Sequence, residues 1–237
     1  LNEIAFFGIG KACQISPPPI SPFYSPTYEN AYTEFDPNTA NLLLDEMGLK
    51  RRKKDDIRLR PDGQPLHIRI EIASVFLGTP MFELIARQWT EIGVKTELKL
   101  EARQLFYTRK SALLHDVGVW GSADELIPVM DPRWFFPYSE ESIQGIGYAR
   151  WFQSNKLKGI EPPLEIKECM RLYQQIEKTP ESSEQIRLFK QIIDLNQKNL
   201  WIIGTVGRIP SIFIVKETFR NVPQIAISGW IFRTPGS

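Results

Sequence analysis

The chain has 237 residues, 42% of them apolar and 24% charged, with a formal net charge of +1. That length supports one sizeable core or a large lobe of something bigger, and the balance of apolar and charged residues excludes a disordered chain. The near-neutral charge excludes a basic field for nucleic acid and a strongly acidic one for cations, and no run of 18 apolar residues offers a membrane-spanning helix.

Both ends read as cuts. The chain opens at Leu1 with no charged-plus-apolar leader, and it ends in Thr234-Pro235-Gly236-Ser237 without a closing element. The expectation is a piece of a longer protein. Cys13 and Cys169 lie far apart and are expected as two free thiols.

Residues 1–35 read as an irregular crossover segment. Ser16-Pro17-Pro18-Pro19 and Ser21-Pro22 favour extended backbone, with Tyr24, Tyr28 and Tyr32 interleaved. Asp36-Pro37 starts the first clear helix, Asp as cap and Pro at the first helical position. Ala40, Leu43, Leu44 and Met47 recur at helical spacing and predict one buried face, and Gly48 supplies a left-handed end. The run 50–54, all Lys and Arg, reads as solvated charge near the negative end of the helix dipole.

Pro61-Asp62-Gly63 is a turn. Leu66, Ile68, Ile70 and Ile72 alternate with His67, Arg69 and Glu71, a strand with one buried face. Thr79-Pro80 caps a helix carrying Phe82, Ile85, Ala86 and Trp89 on one side and ending at Gly93. Val94, Thr96, Leu98 and Leu100 alternate as a second strand. Strand, helix, strand predicts a right-handed unit with parallel strands. A crossover helix over 104–114 and a third strand, Val117–Trp120, follow.

Beyond that strand lies an aromatic-rich loop that runs from Gly121-Ser122-Ala123-Asp124 through Asp131-Pro132, Trp134, Phe135, Phe136 and Tyr138, and closes with Gly145, Gly147, Tyr148, Trp151 and Phe152. Loops are normally polar. These rings must either pack back on their own domain or wall a cleft, and ligands of open parallel sheets sit outside the carboxyl ends of the strands.

Two helices come next. One buries Ile166, Cys169, Met170, Tyr173 and Ile176; the other starts at a Thr179-Pro180-Glu181 cap and turns Ile186, Phe189 and Ile193 inward. Strands are predicted over Trp201–Val206 and Ile212–Val215, before an irregular tail from Asn221-Val222-Pro223. The organisation read from this is a crossover segment at 1–35, an α/β ligand-binding lobe at 36–200, and connecting strands and tail at 201–237.

The catalytic inventory is thin. The two histidines are His67 and His115, and no HxxxH, CxxC, GxSxG or phosphate-loop pattern occurs. No cofactor and no metal site are expected. Asp131 before Pro132 reads as a cap for a short helical turn, and Asp124 as a loop carboxylate. The functional alternative for either is a counter-ion for a ligand's ammonium group, strengthened by partial desolvation near aromatic walls. Trp120, Trp134, Tyr148 and Trp151 are the candidate walls, through area burial and cation–π contact; ordinary packing is the competing role of each.

These stretches together resemble a known family. They include Tyr32 to Ala40 followed by Leu42 to Leu49, Arg60 to Leu66, Ile92-Gly93-Val94, Val117 to Asp124, Asp131-Pro132-Arg133, and Asn199 to Gly207. The chain resembles the carboxyl-terminal part of the extracellular solute-binding proteins of ABC importers, family 5, which includes oligopeptide- and dipeptide-binding proteins.

The resemblance implies an α/β fold: one lobe of a type II periplasmic-binding-protein fold, with a mixed or parallel sheet flanked by helices. It implies a hinged receptor that closes on a peptide or other small solute and docks on a membrane permease, in the periplasm or as a lipoprotein on the outer face. The N-terminal lobe would lie outside this chain, and nucleic acid is not a partner. In peptide-binding relatives an Asp shortly after a Trp at this strand end pairs with the peptide's α-amino group. That maps onto Trp120 and Asp124, with Asp131 as the rival because the intervening segment is longer than usual. Where some peptide binders carry an Arg in this strand, this chain has Val117 or Gly118. Family members also take nickel chelates, haem, opines and oligosaccharides, so the ligand class stays open. The competing functional readings are a peptide-directed hydrolase and a ligand-free interaction or sensory domain with the same fold.

Overall fold

In a computed structural model the described residues are 1–52, 54–75, 79–121, 125–210, 212 and 214–223. They gather into two compact units. The first holds Leu1, Glu3–Phe7 and Glu34–Trp120; the second holds Asn2, Gly8–Thr33 and the chain from Gly121 onward. This division falls at 120/121, inside the 36–200 stretch that the sequence reads as one lobe.

The elements run α1 (Asn2–Phe6), β1 (Lys11–Ala12), α2 (Pro26–Glu29), α3 (Pro37–Glu46), β2 (His67–Ala73), α4 (Thr79–Glu91), β3 (Lys95–Glu101), α5 (Arg103–Ser111), β4 (Val117–Val119), a 3-10 turn (Pro132–Trp134), α6 (Ile146–Gln153), α7 (Leu164–Ile176), α8 (Ser182–Asn199) and β5 (Val206–Gly207). Segment 1–35 therefore carries three short elements. Among the described residues no helix is long and apolar enough to cross a membrane.

In the first unit β2 is the central strand of a three-stranded parallel sheet ordered β3-β2-β4. Ile70 and Ile72 of β2 and Phe82 of α4 form a buried core, with Ile85, Trp89, Leu98, Val117 and Val119 packed against it. The predicted strand–helix–strand unit is thus present with parallel pairing. Leu100, expected on the inner face, is exposed: β3 is an edge strand, covered from one side only. Glu71, expected on a wet face, is buried, because α5 lies over that side of β2.

Helix α3 starts as the sequence predicts. The Asp36 carboxylate accepts the Thr39 N–H at 2.9 Å, and Gly48 takes φ +77. Its predicted buried face does not form, however, since Leu43 and Met47 are 51% and 68% exposed. What anchors the helix is polar. Arg58, fully buried, donates to Asp45 Oδ1 at 2.6 Å, to the Leu49 carbonyl at 2.6 Å, to Asn41 Oδ1 at 2.8 Å and to the Ile92 carbonyl at 2.8 Å. Of the basic run, Arg51 pairs with Asp56 and Arg52 with Asp55, and Lys53 lies outside the described residues. The expected Thr79 cap concerns a side chain that also lies outside them.

In the second unit α7 and α8 pack together, and the stripe Ile166, Cys169, Met170, Tyr173 and Ile176 is buried as predicted. In α8 Phe189 and Ile193 are buried and Ile186 is half-buried. The expected Thr179 cap is not made: the Thr179 hydroxyl donates back to the Gln175 carbonyl at 2.8 Å, and no side chain caps α8. Helix α6 is absent from the sequence reading. Gly145, left-handed at φ +59, breaks the chain just before it, and Gly147 weakens the helical signal.

Of the strand predicted over Trp201–Val206, Val206 pairs, together with Gly207, because its partner β1 offers two residues; the strand predicted over Ile212–Val215 includes Phe213, which lies outside the described residues. Leu200, at φ +43, ends α8 and sends the chain into bends. Residues 224–237 lie outside the described set.

At Gly204 two distant chain segments approach closely. Its N–H donates to Gln14 Oε1 at 2.7 Å, and an added Cβ would run into the Cys13 carbonyl oxygen and lie 2.6 Å from Gln14 Cα. These obstacles are backbone and cannot swing away. Gly204→Ala is therefore expected to destabilise the chain by about 1–3 kcal/mol, the range for overpacking. A lowered urea midpoint with an unchanged slope would show it.

Candidate binding site at the carboxyl edge of the parallel sheet

The sheet presents three strand ends together. The Ser74 N–H donates to the Glu101 carbonyl at 2.8 Å, tying the end of β2 to the end of β3. Helix α5 leaves directly from β3, and Trp120 follows directly on β4. Gly118 lets the two lie close, since a Cβ there would come within 3.2 Å of both the Phe106 ring and His115 Nδ1.

The result is an aromatic shelf. The half-buried Trp120 ring stacks on Phe106 at 5.6 Å between centroids with 26° between planes, and meets the edge of Tyr107 at 5.2 Å. The Arg103 guanidinium sits 5.7 Å from the centroids of both Tyr107 and Trp120. The Lys110 ammonium lies 5.5 Å from the Tyr107 centroid.

Beneath the shelf is a buried charge network. Arg109 Nε donates to Glu71 Oε2 at 3.0 Å, and His115 Nε2 lies 2.6 Å from the same oxygen. Lys99 Nζ is 2.9 Å from Glu101 Oε2, and His115 Nε2 is 3.7 Å from Glu101 Oε1. The His115 ring contacts Phe106 at 4.6 Å, so the network also supports the shelf. Burial pushes the Glu71 carboxyl up, but Arg109, His115 and Lys99 outweigh it and hold it below the ordinary carboxylate value. Burial lowers the His115 value, with Arg109 and Lys110 adding to it against the pull of Glu71 and Glu101.

Glu71, Glu101 and His115 place three donor atoms within 4.8 Å of one another, the spacing of a metal site. Arg109 and Lys99 already balance the two carboxylates, and a divalent ion would have to face both cations. The donor set therefore fits an internal ion network better than a metal centre.

Of the six residues singled out in the sequence, Trp120 lies in the first unit on this shelf. Asp124 lies outside the described residues. Asp131, Trp134, Tyr148 and Trp151 lie in the second unit.

Asp131 precedes a helical turn as expected, but its side chain does not cap it. The carboxylate is buried against Arg133, whose Nε is 2.7 Å from Oδ1. Trp134 is 5% exposed, its indole N–H without a partner among the described residues, and Phe135 and Phe136 are buried beside it. Phe135 packs edge-on to Phe189 at 5.3 Å, and Phe136 meets Tyr173 at 5.3 Å. This part of the aromatic loop thus packs back on its own unit. Tyr148 and Trp151 stay half-buried, with the ammonium groups of Lys156 and Lys167 at 5.5 and 5.7 Å from the Trp151 ring.

Sequence reasoning did not single out Arg103, Phe106 or Tyr107. The signal available was position: a helix that starts at the carboxyl end of a parallel strand puts its first turn at the ligand edge.

Comparison with known proteins gives the class. Residues 1–142 match the family described as "Bacterial extracellular solute-binding proteins, family 5 Middle", and the chain belongs to that family. Among solved structures it is similar to the oligopeptide-binding protein OppA, with 35% identity and a TM-score of 0.79 over 86% of this chain and 34% of that one. It shares the fold of AppA from Bacillus subtilis in complex with a nonapeptide, at 16% identity, TM-score 0.64, and 86% and 38% of the two chains. It also shares the fold of NikA from Brucella suis in complex with Fe(III)-EDTA, at 20% identity, TM-score 0.63, and the same coverage. No curated protein sequence matches it.

The fold is that of the type II periplasmic binding proteins, and the chain spans 34% of the length of OppA. The family consists of extracellular binding proteins, not enzymes.

The charge network sets two expectations. Glu71→Ala removes the charged hydrogen bond from Arg109, which keeps Glu101 at 3.6 Å, and is expected to cost about 1–3 kcal/mol in a chemical denaturation curve. Acid should destabilise the chain in two steps. Folded His115 takes its proton at a lower pH than the unfolded chain does, so its contribution is lost as pH falls below the ordinary 6.5. The contribution of the depressed Glu71 carboxyl is lost only below its ordinary 4.5. His115→Gln should flatten the melting temperature between those two values and leave the acid limb in place.

Proposed function

We propose that this chain is part of the solute-binding component of an ABC import system. The full protein captures peptides or similar small solutes by hinge closure and delivers them to a membrane permease. The observation that carries this reading is the 35% identity to an oligopeptide-binding protein over 86% of the chain. The shelf of Trp120, Tyr107 and Phe106 at the carboxyl edge of the sheet supports it, since an apolar, partly exposed ring surface beside fixed charges is the makeup of a small-ligand site.

Closure follows from differential affinity. Contacts made by both lobes exist only in the closed state, so the solute shifts the protein toward it. In this reading the partner lobe, the permease and a location in the periplasm or on the outer face of the membrane belong to the full protein.

Trp120 supplies apolar area, and Asp124 is the carboxylate that the family resemblance assigns to a peptide's α-amino group. Asp131 and Trp134 are second choices for ligand contact, because Arg133 occupies the one and burial covers the other. Tyr148 and Trp151 are further candidates, half-buried in the second unit. The protein acts by binding and carries out no reaction on its solute.

Two measurements test this. Asp124→Asn in the full protein is expected to weaken amine-bearing peptides by about 1–3 kcal/mol in calorimetry, the cost of losing a charged hydrogen-bond partner. Unchanged affinity would remove Asp124 from the site. Mass spectrometry of the solute that co-purifies with the full protein should show peptides. Turnover of chromogenic peptides that depends on Asp124 would favour a hydrolase instead.

A further inference from the structure

Between α6 and α7 the chain turns three aliphatic side chains toward solvent in one short stretch: Leu157 is 85% exposed, Leu164 77% and Ile160 51%. The stretch is held in place. The Lys156 N–H donates to the Trp151 carbonyl at 2.8 Å, and the Ile160 N–H to the Gly147 carbonyl at 2.9 Å. The Ser154 hydroxyl oxygen accepts the Lys158 N–H at 2.8 Å. Gly159, at φ +90, lies so close to α6 that an added Cβ would run into the Gly147 carbonyl oxygen. Asn155 and Lys156 are both left-handed, at φ 52 and 73, a conformation that persists only where the surroundings impose it.

The charges gather at the same place. The half-buried Trp151 ring has the Lys156 ammonium at 5.5 Å and the Lys167 ammonium at 5.7 Å. The residue before Leu157 and the residue one turn past Leu164 thus meet on one indole. Lys167 is matched by Glu161, and Glu165 stands in the first turn of α7. Lys156 and Lys158 flank Leu157, and neither has a carboxylate within ion-pair distance among the described residues.

Leucine and lysine side by side point to the kind of partner. Protein interfaces are depleted in Lys, and Leu is under-represented among the residues that carry their affinity. At a bilayer surface the two act together. Aliphatic tips enter the acyl boundary, while lysine stems lie along it with their ammonium groups at the phosphates. An indole suits the same boundary. A loop that is already fixed loses little freedom on insertion.

We propose that the 156–164 loop is a contact of the full protein with an anionic lipid surface, with Leu157 as the inserted tip and Lys156 and Lys158 at the lipid phosphates. The contact is additional to solute capture and does not depend on it.

The test mixes the full protein, free of any attached lipid, with vesicles of phosphatidylcholine alone or in equal parts with phosphatidylglycerol, and reads the bound fraction by cosedimentation. Wild type is expected to bind the phosphatidylglycerol vesicles about fivefold more strongly or better, the factor for one lysine near an anionic surface. Lys158→Gln should lower the partition coefficient about fivefold. Leu157→Ser should lower it about tenfold, the effect of withdrawing a leucine from apolar surroundings. Both side chains are exposed, so the urea midpoint and the solute affinity stay unchanged. Wild type that ignores both vesicles or binds them equally overturns the assignment, as does binding that both variants leave intact. Wild type that self-associates without binding vesicles, while Leu157→Ser stays monomeric, also overturns it and makes the loop a contact between copies.

Discussion

A carboxylate sealed inside a sheet organises the first unit. Glu71 sits on β2, the one strand of that sheet paired on both sides. Burying an isolated carboxylate costs several kcal/mol, so the structure that covers it must bring compensating charge or polar partners. Helix α5 brings Arg109, the turn into β4 brings His115, and β3 brings Lys99, 4.0 Å from Glu71 Oε1. Every element that packs around β2 on this side is thus oriented toward one point. The same orientation sets Phe106 against Trp120 and turns the first residue of α5 toward the ligand edge. The charge network thus ties α5, the turn into β4 and β3 to one point on β2.

The second unit solves the same problem around Glu29. That buried carboxylate receives Lys11 Nζ at 2.6 Å, the Tyr24 hydroxyl at 2.9 Å and Arg208 Nε at 2.9 Å. Arg208 comes from far along the chain and also donates to the carbonyls of Ser16 and Pro17 at 3.0 Å. The proline-rich stretch is therefore tied down by polar contacts to the strand that follows α8. With the close approach at Gly204, these contacts fix a long segment that has little regular structure of its own.

Function in this family comes from binding, and the chemistry of the chain is consistent with that. The described histidine nearest the shelf, His115, is spent on structure between Glu71 and Phe106. Cys169 lies in the α7 core, where burial pushes its thiol up to about 12, far from the reactive range. Among the described residues, the half-buried rings of Tyr107 and Trp120 and the exposed Arg103 lie at the carboxyl edge of the sheet.

The sequence by itself determined what depends on near neighbours. Asp36-Pro37 predicts where α3 begins because a cap and its N–H groups lie three residues apart. The alternation over 66–72 and 94–100 with a helix between predicts parallel strands because period and connection length are local. The α7 stripe from Ile166 to Ile176 predicts its own burial because all five residues share one helix face. The family resemblance pointed to Trp120 at a strand end. Tertiary structure alone decided which faces are covered. Glu71 alternates like a solvent residue and is buried because α5 crosses it; Leu43 and Met47 recur like core residues and stay exposed because no described element packs on them. Phe135 and Phe136 sit in the aromatic-rich loop and are sealed because Phe189 of α8 and Tyr173 of α7 receive their rings. Periodicity reports how side chains are distributed around one element, whereas burial is a property of two elements in contact, and the contacts that place Arg103 beside Trp120 join positions separated by a whole helix and strand.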